Sequence, residues 1–142
     1  MQIKIRYADK EIDKLEKIAV GDLIDLRAAE DVDMKQGELR LISLGIAMEL
    51  PEGYEAHVYA RSSTASKYGI LVANAVGLID SSYCGNNDIW KLNAYAIRDT
   101  HIDKNTRIAQ FRIVKNQPEI EFIEVEELDG TDRGGFGSTG TK

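Results

Sequence analysis

The sequence predicts an all-β protein, a jelly-roll-like barrel or sandwich with little helix, and three observations support this prediction. Short runs in which apolar and polar residues alternate recur along the chain, and this is the period of a strand with one buried face. Clusters of turn-forming residues separate the runs at short intervals, as in sandwiches and barrels. A helical turn is permitted only over residues 9–17, which can equally form a charged loop.

The predicted elements follow from the chain in order. Alternating runs predict strands at residues 3–7, 39–43, 44–48, 55–59, 89–96, 107–114 and 119–126. In the last run the apolar positions change parity between Phe122 and Ile123, which indicates a bulge or a twist. Turns are predicted at residues 51–53, 84–88, 103–105 and 116–118. No repeat or linker divides the chain, so we expect a β domain over residues 1–132 and a tail over residues 133–142.

Composition narrows the class of protein. A chain of 142 residues with 43% hydrophobic residues supports one domain with its own core. No apolar run reaches about 18 residues, and no apolar stretch follows a basic start. We therefore expect no membrane span, no export signal and a cytoplasmic location. The net charge of −6 argues against a nucleic-acid polymer as partner. One cysteine and two histidines exclude a zinc site of the deaminase kind.

The C-terminal tail differs in composition from the rest of the chain. Four of the 12 glycines lie in residues 134–142, so we expect this tail to be mobile in the free protein. A disordered terminus is the common outcome for such a segment. The alternative is an arm that wraps a ligand, because Arg133, Phe136, Ser138 and Thr139 supply a cation, a stacking ring and two hydroxyls.

Two segments inside the domain carry candidate ligands. Arg61, Ser62 and Ser63 follow a predicted strand, and a guanidinium beside hydroxyls suits an oxyanion. An ordinary solvated turn explains these three residues equally well. Asp80 ends an apolar run, with Tyr83 three residues later. A carboxylate there can act as a general base on water, and the ring can pack against a sugar, although a turn-forming Asp is the common alternative.

Three further polar residues need an explanation. Asn74 precedes the Asp80 segment and offers a donor and an acceptor, which suits the Watson–Crick edge of a base. Asp25 lies inside an apolar run and therefore needs a partner. That partner is either a hard cation bound through water or an arginine, and we favour the ion pair. Gln110 also lies in an apolar run, so its amide needs a partner as well.

The order of these fragments resembles the trimeric dUTPases, which hydrolyse dUTP to dUMP and pyrophosphate. That family has five motifs in a fixed order, and this chain carries a counterpart of each from about residue 20 onwards. They are Asp25-Leu26-Arg27-Ala28, Arg61-Ser62-Ser63, the segment 74–85 with Gly77-Leu78-Ile79-Asp80-Ser81-Ser82-Tyr83, Arg107-Ile108-Ala109-Gln110, and Gly135-Phe136-Gly137-Ser138-Thr139-Gly140. The third and the fifth motifs together are highly specific.

The resemblance implies a jelly-roll subunit of the dUTPase type, a homotrimer with shared active sites, and Mg²⁺ as cofactor. Asp80 is then the general base for the water that attacks the α-phosphorus, and Asp25 and Gln110 help to position the metal through water. Tyr83 packs under the deoxyribose and excludes a 2′-hydroxyl, while Phe136 covers the uracil when the tail closes. The substrate-binding residues implied are Arg61, Ser62, Ser63, Asn74, Gly77, Tyr83, Ile89, Trp90, Lys91, Gln110, Arg133, Phe136, Gly137, Ser138 and Thr139.

The chain departs from the family pattern in three places. Arg133 lies only three residues before Phe136, closer than is usual, which leaves open whether it reaches the γ-phosphate. The hairpin after Tyr83 is longer than usual and contains Trp90, which is either a core or interface residue or a lid over the uracil. Asn105-Thr106 stands where the fourth motif usually opens with Gly-Asp or Gly-Glu.

The sequence therefore predicts a dUTP diphosphatase that keeps uracil out of DNA and supplies dUMP for thymidylate synthesis. Two alternatives remain open. One is a dUTP-sensing regulatory module that binds a protein. The other is an enzyme of the dCTP deaminase type on the same fold, which ranks last because such enzymes lack the Asp80–Tyr83 signature and the glycine-rich tail.

Overall fold

The computed structural model describes residues 1–137, 139–140 and 142. In these residues it contains eleven short strands and one five-residue helix, which confirms the all-β prediction. The strands are β1 (Lys4–Tyr7), β2 (Ile24–Arg27), β3 (Val32–Met34), β4 (Leu39–Ser43), β5 (Ile46–Glu49), β6 (Tyr54–Ala60), β7 (Ile70–Val72), β8 (Gly77–Ile79), β9 (Lys91–Ala96), β10 (Thr100–Ile102) and β11 (Arg107–Lys115). The helix α1 is Thr64–Tyr68. No helix in the described part is long and apolar enough to cross a membrane.

The strands form antiparallel sheets. The largest sheet has the order β2-β11-β6-β8, and a three-stranded sheet has the order β4-β9-β7. Two further pairs, β1 with β5 and β10 with β3, complete the described pairings. The buried residues of the two larger sheets meet in one hydrophobic cluster that includes Leu26, Val58, Phe111, Ile42 and Leu92. This cluster fixes the largest sheet, on which the candidate site residues lie.

The predicted strand over residues 119–126 is wrong for the single chain. Residues 116–137 form neither strand nor helix and are exposed throughout. The apolar side chains that suggested a strand include Phe122, 92% exposed, and Ile123, 77% exposed. An alternating run becomes a strand only where a neighbouring edge accepts its hydrogen bonds, and no pairing of this segment exists within the described chain.

The ambiguous segment 9–17 is a loop. Ile12 is only 4% exposed and anchors it in the core. Lys104 Nζ lies 2.8 Å from Asp9 Oδ2 and 2.9 Å from Glu11 Oε2, which ties the loop to the turn before β11. The charged residues of this segment therefore make long-range contacts instead of forming the polar face of a helix.

Candidate functional site

Four polar residues gather at one end of the largest sheet. Asp25 on β2 lies opposite Gln110 on β11 in the strand register. Arg107 begins β11, and Arg61 follows the last residue of β6. Because β11 pairs with both β2 and β6, the sheet brings together segments that are far apart in sequence. We call Asp25, Arg61, Arg107 and Gln110 the arginine cluster.

One carboxylate holds both guanidinium groups of the cluster. Asp25 Oδ1 lies 2.9 Å from Arg61 Nε, and Asp25 Oδ2 lies 3.3 Å from Arg107 Nη1. Arg61 Nη1 also donates a hydrogen bond to the carbonyl of Arg107 at 3.3 Å. The ion-pair interpretation of Asp25 is therefore confirmed, with two arginines as partners.

A buried threonine fixes the backbone of Arg61. Thr64 has no exposed surface, and its Oγ1 accepts a hydrogen bond from the Arg61 N–H at 2.8 Å. The same hydroxyl donates to the carbonyl of Ile108 at 2.9 Å, which joins the start of α1 to β11. Gln110 Nε2 donates to the carbonyl of Ala60 at 3.1 Å, which joins the side chain to the last residue of β6.

The arginine cluster has the charge and exposure to bind a polyanion. Two guanidinium groups face one carboxylate, and the Arg107 side chain is 50% exposed. Ser62 is exposed and Ser63 half-buried beside Arg61, so hydroxyl donors adjoin the cations, as phosphate binding requires. Sequence reasoning missed Arg107 as a ligand, since its charge reads as the solvated start of a strand. The pairing of β11 with β2 places Arg107 opposite Arg27, and only the side-chain contact in the folded chain shows that Arg107 pairs with Asp25.

A second polar group follows β8. Asp80 comes directly after this strand and is exposed. Its Oδ1 accepts hydrogen bonds from the hydroxyl of Ser82 and, at 2.8 Å, from the Ser82 N–H. The hydroxyl bond first, and then the backbone bond, hold the pKa of the Asp80 carboxyl below its ordinary value. Asp80 is therefore ionised at neutral pH and able to accept a proton.

A pocket of about 400 Å³ lies beside Asp80. Its walls are mostly apolar, and Asp80 and Lys91 are its charged members. Tyr83 is 39% exposed, and its hydroxyl donates to the carbonyl of Ile89 at 2.9 Å. That bond fixes the ring across the loop over residues 84–89, which we call the hairpin although β8 and β9 lie in different sheets and do not pair. Tyr83 therefore offers a rigid aromatic wall of the kind that packs against sugars and bases. The aliphatic residues that line the pocket are Leu41, Leu78, Ile79 and Ile89.

Trp90 belongs to the core. It lies in the wall behind this pocket but has no exposed surface, and its ring packs edge-to-face on Phe111 with centroids 5.2 Å apart. The backbone N–H of Trp90 donates to the carbonyl of Ile46 at 2.8 Å, and the backbone carbonyl of Trp90 accepts from the Leu44 N–H at 2.8 Å. In the single chain Trp90 is therefore a core residue, and a ring without exposed surface does not lie over the pocket as a lid would.

Asn74 is exposed in the sharply bent connection between β7 and β8. The Val76 N–H donates to the Asn74 carbonyl at 2.7 Å across Ala75, whose φ is 63°. A positive φ is unfavourable for a residue with a Cβ atom. Gly77 follows, and a Cβ there would come within 3.1 Å of Val58 Cβ. In the described structure neither Asn74 nor Gly77 belongs to the lining of the Asp80 pocket.

Asp80 and the arginine cluster lie at opposite ends of β6. Ile79 pairs with Ala56 near the start of β6, so Asp80 lies beyond that end, whereas Arg61 follows the other end. At about 3.3 Å per residue, the strand separates Ala56 from Arg61 by roughly 16 Å. A single chain therefore does not bring the candidate base and the candidate phosphate ligands together.

The described tail residues contact none of these groups. Arg133, Phe136, Gly137 and Thr139 are exposed, and the Phe136 side chain is fully accessible. Ser138 lies outside the described residues. The exposed, described residues of the tail therefore belong neither to the lining of the pocket nor to the arginine cluster.

The donor chemistry of the cluster fits a magnesium ion bound through water. Among the described residues no three His, Cys, Asp or Glu side chains gather, so an all-protein metal cage is absent there. Asp25 and Gln110 nevertheless place a carboxylate and an amide oxygen on adjacent strands. Mg²⁺ prefers hard oxygen ligands, keeps several waters and takes few carboxylates together with substrate phosphates.

Comparison with known proteins places the chain in one family. Residues 21–140 match the family model for dUTPase. The chain is 57% identical to the SPbeta prophage-derived deoxyuridine 5'-triphosphate nucleotidohydrolase YosS of Bacillus subtilis (strain 168), with 100% of both chains covered.

Two solved structures share the fold. A Staphylococcus bacteriophage 80alpha dUTPase variant with dUpNHpp has a TM-score of 0.79 at 24% identity, and 99% of each chain is covered. A dUTPase variant from phage phi11 of S. aureus, described with a structural Mg(II) ion, has a TM-score of 0.77 at 20% identity, with 92% of this chain and 100% of that chain covered. These likenesses confirm the jelly-roll prediction, and the family match together with the identity to YosS shows that the chain belongs to the dUTPase family.

Proposed function

We propose that this protein hydrolyses dUTP to dUMP and pyrophosphate in the cytoplasm, keeping uracil out of DNA and supplying dUMP for thymidylate synthesis. The observation that carries the proposal is the exposed Asp80 carboxylate beside a pocket walled by Tyr83, on a chain that also bears the arginine cluster. A base, a nucleoside pocket and a polyanion site are the parts that hydrolysis of a nucleoside triphosphate requires.

Asp80 acts as the general base. Its Oδ1 is engaged by Ser82, which leaves Oδ2 to accept a proton from water. The water oxygen forms a bond to the α-phosphorus while the bond to the bridging oxygen breaks, and pyrophosphate leaves. The proton taken by Asp80 then passes to solvent. A carboxyl whose pKa lies at or below its ordinary value is ionised at neutral pH, so Asp80 is free to accept that proton.

The nucleoside occupies the pocket beside Asp80. The volume of about 400 Å³ lies in the range of small-molecule sites. The Tyr83 ring packs under the deoxyribose and leaves no room for a 2′-hydroxyl. The backbone of Ile89 and Lys91, which line the pocket, reads the uracil edge. Asn74, which lies outside the pocket lining of the single chain, joins them when the nucleotide is bound, because the wrong base leaves these groups unpaired. Gly77 lets the Asn74 segment approach β6 closely.

The arginine cluster binds the triphosphate. Arg61, Ser62 and Ser63 donate hydrogen bonds to phosphate oxygens, and Arg107 adds a second guanidinium. Asp25 and Gln110 hold Mg²⁺ through water. When bound, that ion neutralises charge on the phosphate oxygens. Asp25 therefore has two tasks, since it also spaces the two guanidinium groups.

A homotrimer with shared active sites supplies what the single chain lacks. Asp80 lies beyond the end of β6 at which Ile79 pairs with Ala56, and Ala56 itself is roughly 16 Å along the strand from Arg61. The base of one subunit therefore works with the arginine cluster of another. The exposed apolar side chains of residues 120–128 need a surface outside their own chain, since contiguous exposed apolar groups mark interfaces. The segment that the isolated chain leaves unpaired is thus an intersubunit contact.

Residues 133–142 form an arm that closes over the bound nucleotide. Phe136 covers the uracil, and Arg133, Gly137, Ser138 and Thr139 bind the terminal phosphates. Closure excludes bulk water from the reacting phosphorus. Deleting residues 133–142 is expected to lower kcat/KM by about 100-fold or more while the trimer, measured by light scattering, persists. An undiminished rate would show that the tail is only a frayed terminus.

A four-nucleotide assay tests the proposal. Purified protein with Mg²⁺ is expected to release pyrophosphate from dUTP and scarcely from dTTP, dCTP or UTP. Equal release from all four would contradict the assigned base and sugar recognition. Release of ammonia from dCTP would instead favour the deaminase-type alternative. Binding of dUTP without any hydrolysis would favour a regulatory module.

A further inference from the structure

The N-terminal strand contacts the hairpin that follows Tyr83, although it precedes the part of the chain that matches the family model. That match begins at residue 21, whereas Arg6 on β1 donates from Nη1 to the carbonyl of Asn86 at 3.1 Å. We propose that Arg6 is a positioning residue for nucleotide recognition, which holds the hairpin over residues 84–89 in the position that forms the pocket wall. The inference deepens the proposed function and rests on it for its kinetic consequences.

Arg6 projects from a paired strand. β1 pairs with β5 along its whole length, and Arg6 lies opposite Ala47. Because β1 is paired, the backbone that carries this guanidinium has a fixed position. The hydrogen bond therefore fixes the hairpin relative to the β1–β5 sheet. Arg6 therefore anchors the hairpin to an element outside it.

The hairpin tip has little else to hold it from outside. At its tip the turn closes on itself, because the Gly85 N–H donates to Asp88 Oδ2 at 2.8 Å and the Asp88 N–H donates to the Gly85 carbonyl at 3.1 Å. Its returning end is fixed where the Trp90 N–H donates to Ile46. Between these points, Arg6 makes the one side-chain hydrogen bond from another element to residues 84–88 within the described chain.

A cavity separates the hairpin from the β1–β5 sheet. It has a volume of about 170 Å³ and is lined by Arg6, Met48, Cys84 and Asn86 among others. The tip is therefore not supported by close-packed side chains, which elsewhere hold a loop in place. Without the Arg6 bond the tip has room to move toward this space.

Such a movement changes the pocket and leaves the candidate base unchanged. Tyr83 and Ile89 line the pocket on either side of the hairpin, and the Tyr83 hydroxyl is bonded to the Ile89 carbonyl. A displaced tip alters both walls together. Asp80 is fixed by Ser82, which lies outside the hairpin tip. Loss of Arg6 should therefore weaken nucleotide binding and selectivity and leave the chemical step intact.

The test compares Arg6→Met with Lys4→Met in the full-length protein. Both variants lose one cation from β1, but Lys4 contacts Glu49 in an exposed pair. In Arg6→Met we expect amide hydrogen exchange over residues 85–89 to speed up by about threefold to tenfold. KM for dUTP should rise by a similar factor, kcat should stay within about twofold, and the preference for dUTP over dCTP should fall. Arg6→Lys, which keeps a donor, should recover part of each change.

The outcomes separate this inference from the proposed function. If amide hydrogen exchange and KM are the same in Arg6→Met as in Lys4→Met, the positioning role of Arg6 is overturned. A loss of kcat at constant KM would also overturn it, since that result would place Arg6 in the chemical step. If the unaltered protein does not hydrolyse dUTP, the proposed function fails, and the exchange measurement alone still decides whether Arg6 holds the hairpin.

Discussion

Asp25 and Arg61 form the closest ion pair of the arginine cluster, with 2.9 Å between Asp25 Oδ1 and Arg61 Nε. The other oxygen of the same carboxylate reaches Arg107 at 3.3 Å. Both side chains of the closer pair are only about one-quarter exposed, at 26% and 25%. A carboxylate that binds two cations sets their spacing, so Asp25 prepares the cluster for phosphate before any ligand arrives.

Asp25→Asn is expected to lower kcat/KM for dUTP by about 100-fold or more, equivalent to about 2.7 kcal/mol. The amide keeps the shape but loses the charge that spaces the guanidinium groups and helps to hold Mg²⁺. A steady-state assay over a range of Mg²⁺ concentrations measures the effect, and the metal requirement should shift upward. Asp22→Asn is the control, because Asp22 pairs with Arg112 away from the cluster and is 68% exposed. Equal losses in the two variants would contradict the role of Asp25.

Thr64→Val is expected to destabilise the protein by about 1–3 kcal/mol and to lower kcat/KM as well. The change is nearly isosteric, but it leaves the partly buried Arg61 N–H and the buried Ile108 carbonyl without the hydroxyl that joins them. Urea unfolding and steady-state kinetics measure the two effects. Thr64→Ser keeps the hydroxyl and should recover most of both. Activity that survives in Thr64→Val would show that Arg61 does not need this anchor.

The strands with local alternation could be predicted from the sequence. The pattern over β6 and β11 reflects one buried and one open face, which a single strand carries in its own residues. In β4 the alternation indicates a strand but not its buried face, because Leu39 and Leu41 are exposed and Ile42 is buried. The segment 119–126 shows the same alternation yet is unpaired, because pairing depends on a neighbouring edge and not on the segment itself. Whether a run becomes a strand is therefore partly a property of the assembly.

The residue types of the site could also be predicted, but not which of them meet. Asp25, Arg61 and Asp80 stood out because charge or hydroxyl chemistry interrupts an apolar pattern. Arg107 and Arg6 did not, since an arginine at a strand end or on an edge strand is commonly solvated. Their contacts, with Asp25 and with Asn86, join residues about 80 positions apart. Only strand register and chain topology specify such contacts.

Asp80→Asn is expected to abolish turnover of dUTP while leaving nucleotide binding largely intact. The amide cannot take a proton from the attacking water, whereas the pocket walls, including Tyr83, are unchanged. Isothermal titration with a non-hydrolysable α,β-imido analogue of dUTP measures binding, and pyrophosphate release measures turnover. Retained turnover would remove Asp80 from the role of general base.

Ser82→Ala is expected to raise the pKa of the Asp80 carboxyl toward its ordinary value. The Ser82 hydroxyl is the largest cause of the lowered pKa, and the backbone N–H of residue 82 remains in the variant. A raised pKa moves the acid limb of the kcat/KM profile to higher pH, because the base is protonated sooner as the pH falls. Ser81→Ala is the matched control. A profile that does not move would show that Asp80 does not govern this limb.

His101 is expected to make stability depend on pH through the pairing of β3 with β10. Its Nδ1 lies 2.7 Å from Asp33 Oδ1 and its Nε2 lies 2.8 Å from Asp103 Oδ1. The bonds to Asp33 and then to Asp103 raise the pKa of His101 above its ordinary value of 6.5. Because the folded state favours the protonated ring, this stabilisation is fully present below pH 6.5. It is lost as the pH rises through the raised pKa of the folded protein.

Urea midpoints measured from pH 5 to pH 9 check this dependence. In His101→Gln the part of the pH dependence that comes from the imidazolium should disappear, since the amide has no charge to lose. Asp99→Asn removes a neighbouring carboxylate that pairs with Lys35 and should leave the dependence in place. If the urea midpoint changes with pH by the same amount in the unaltered protein and in His101→Gln, the role of His101 is contradicted. The pH dependence would then come from groups other than the imidazole between Asp33 and Asp103.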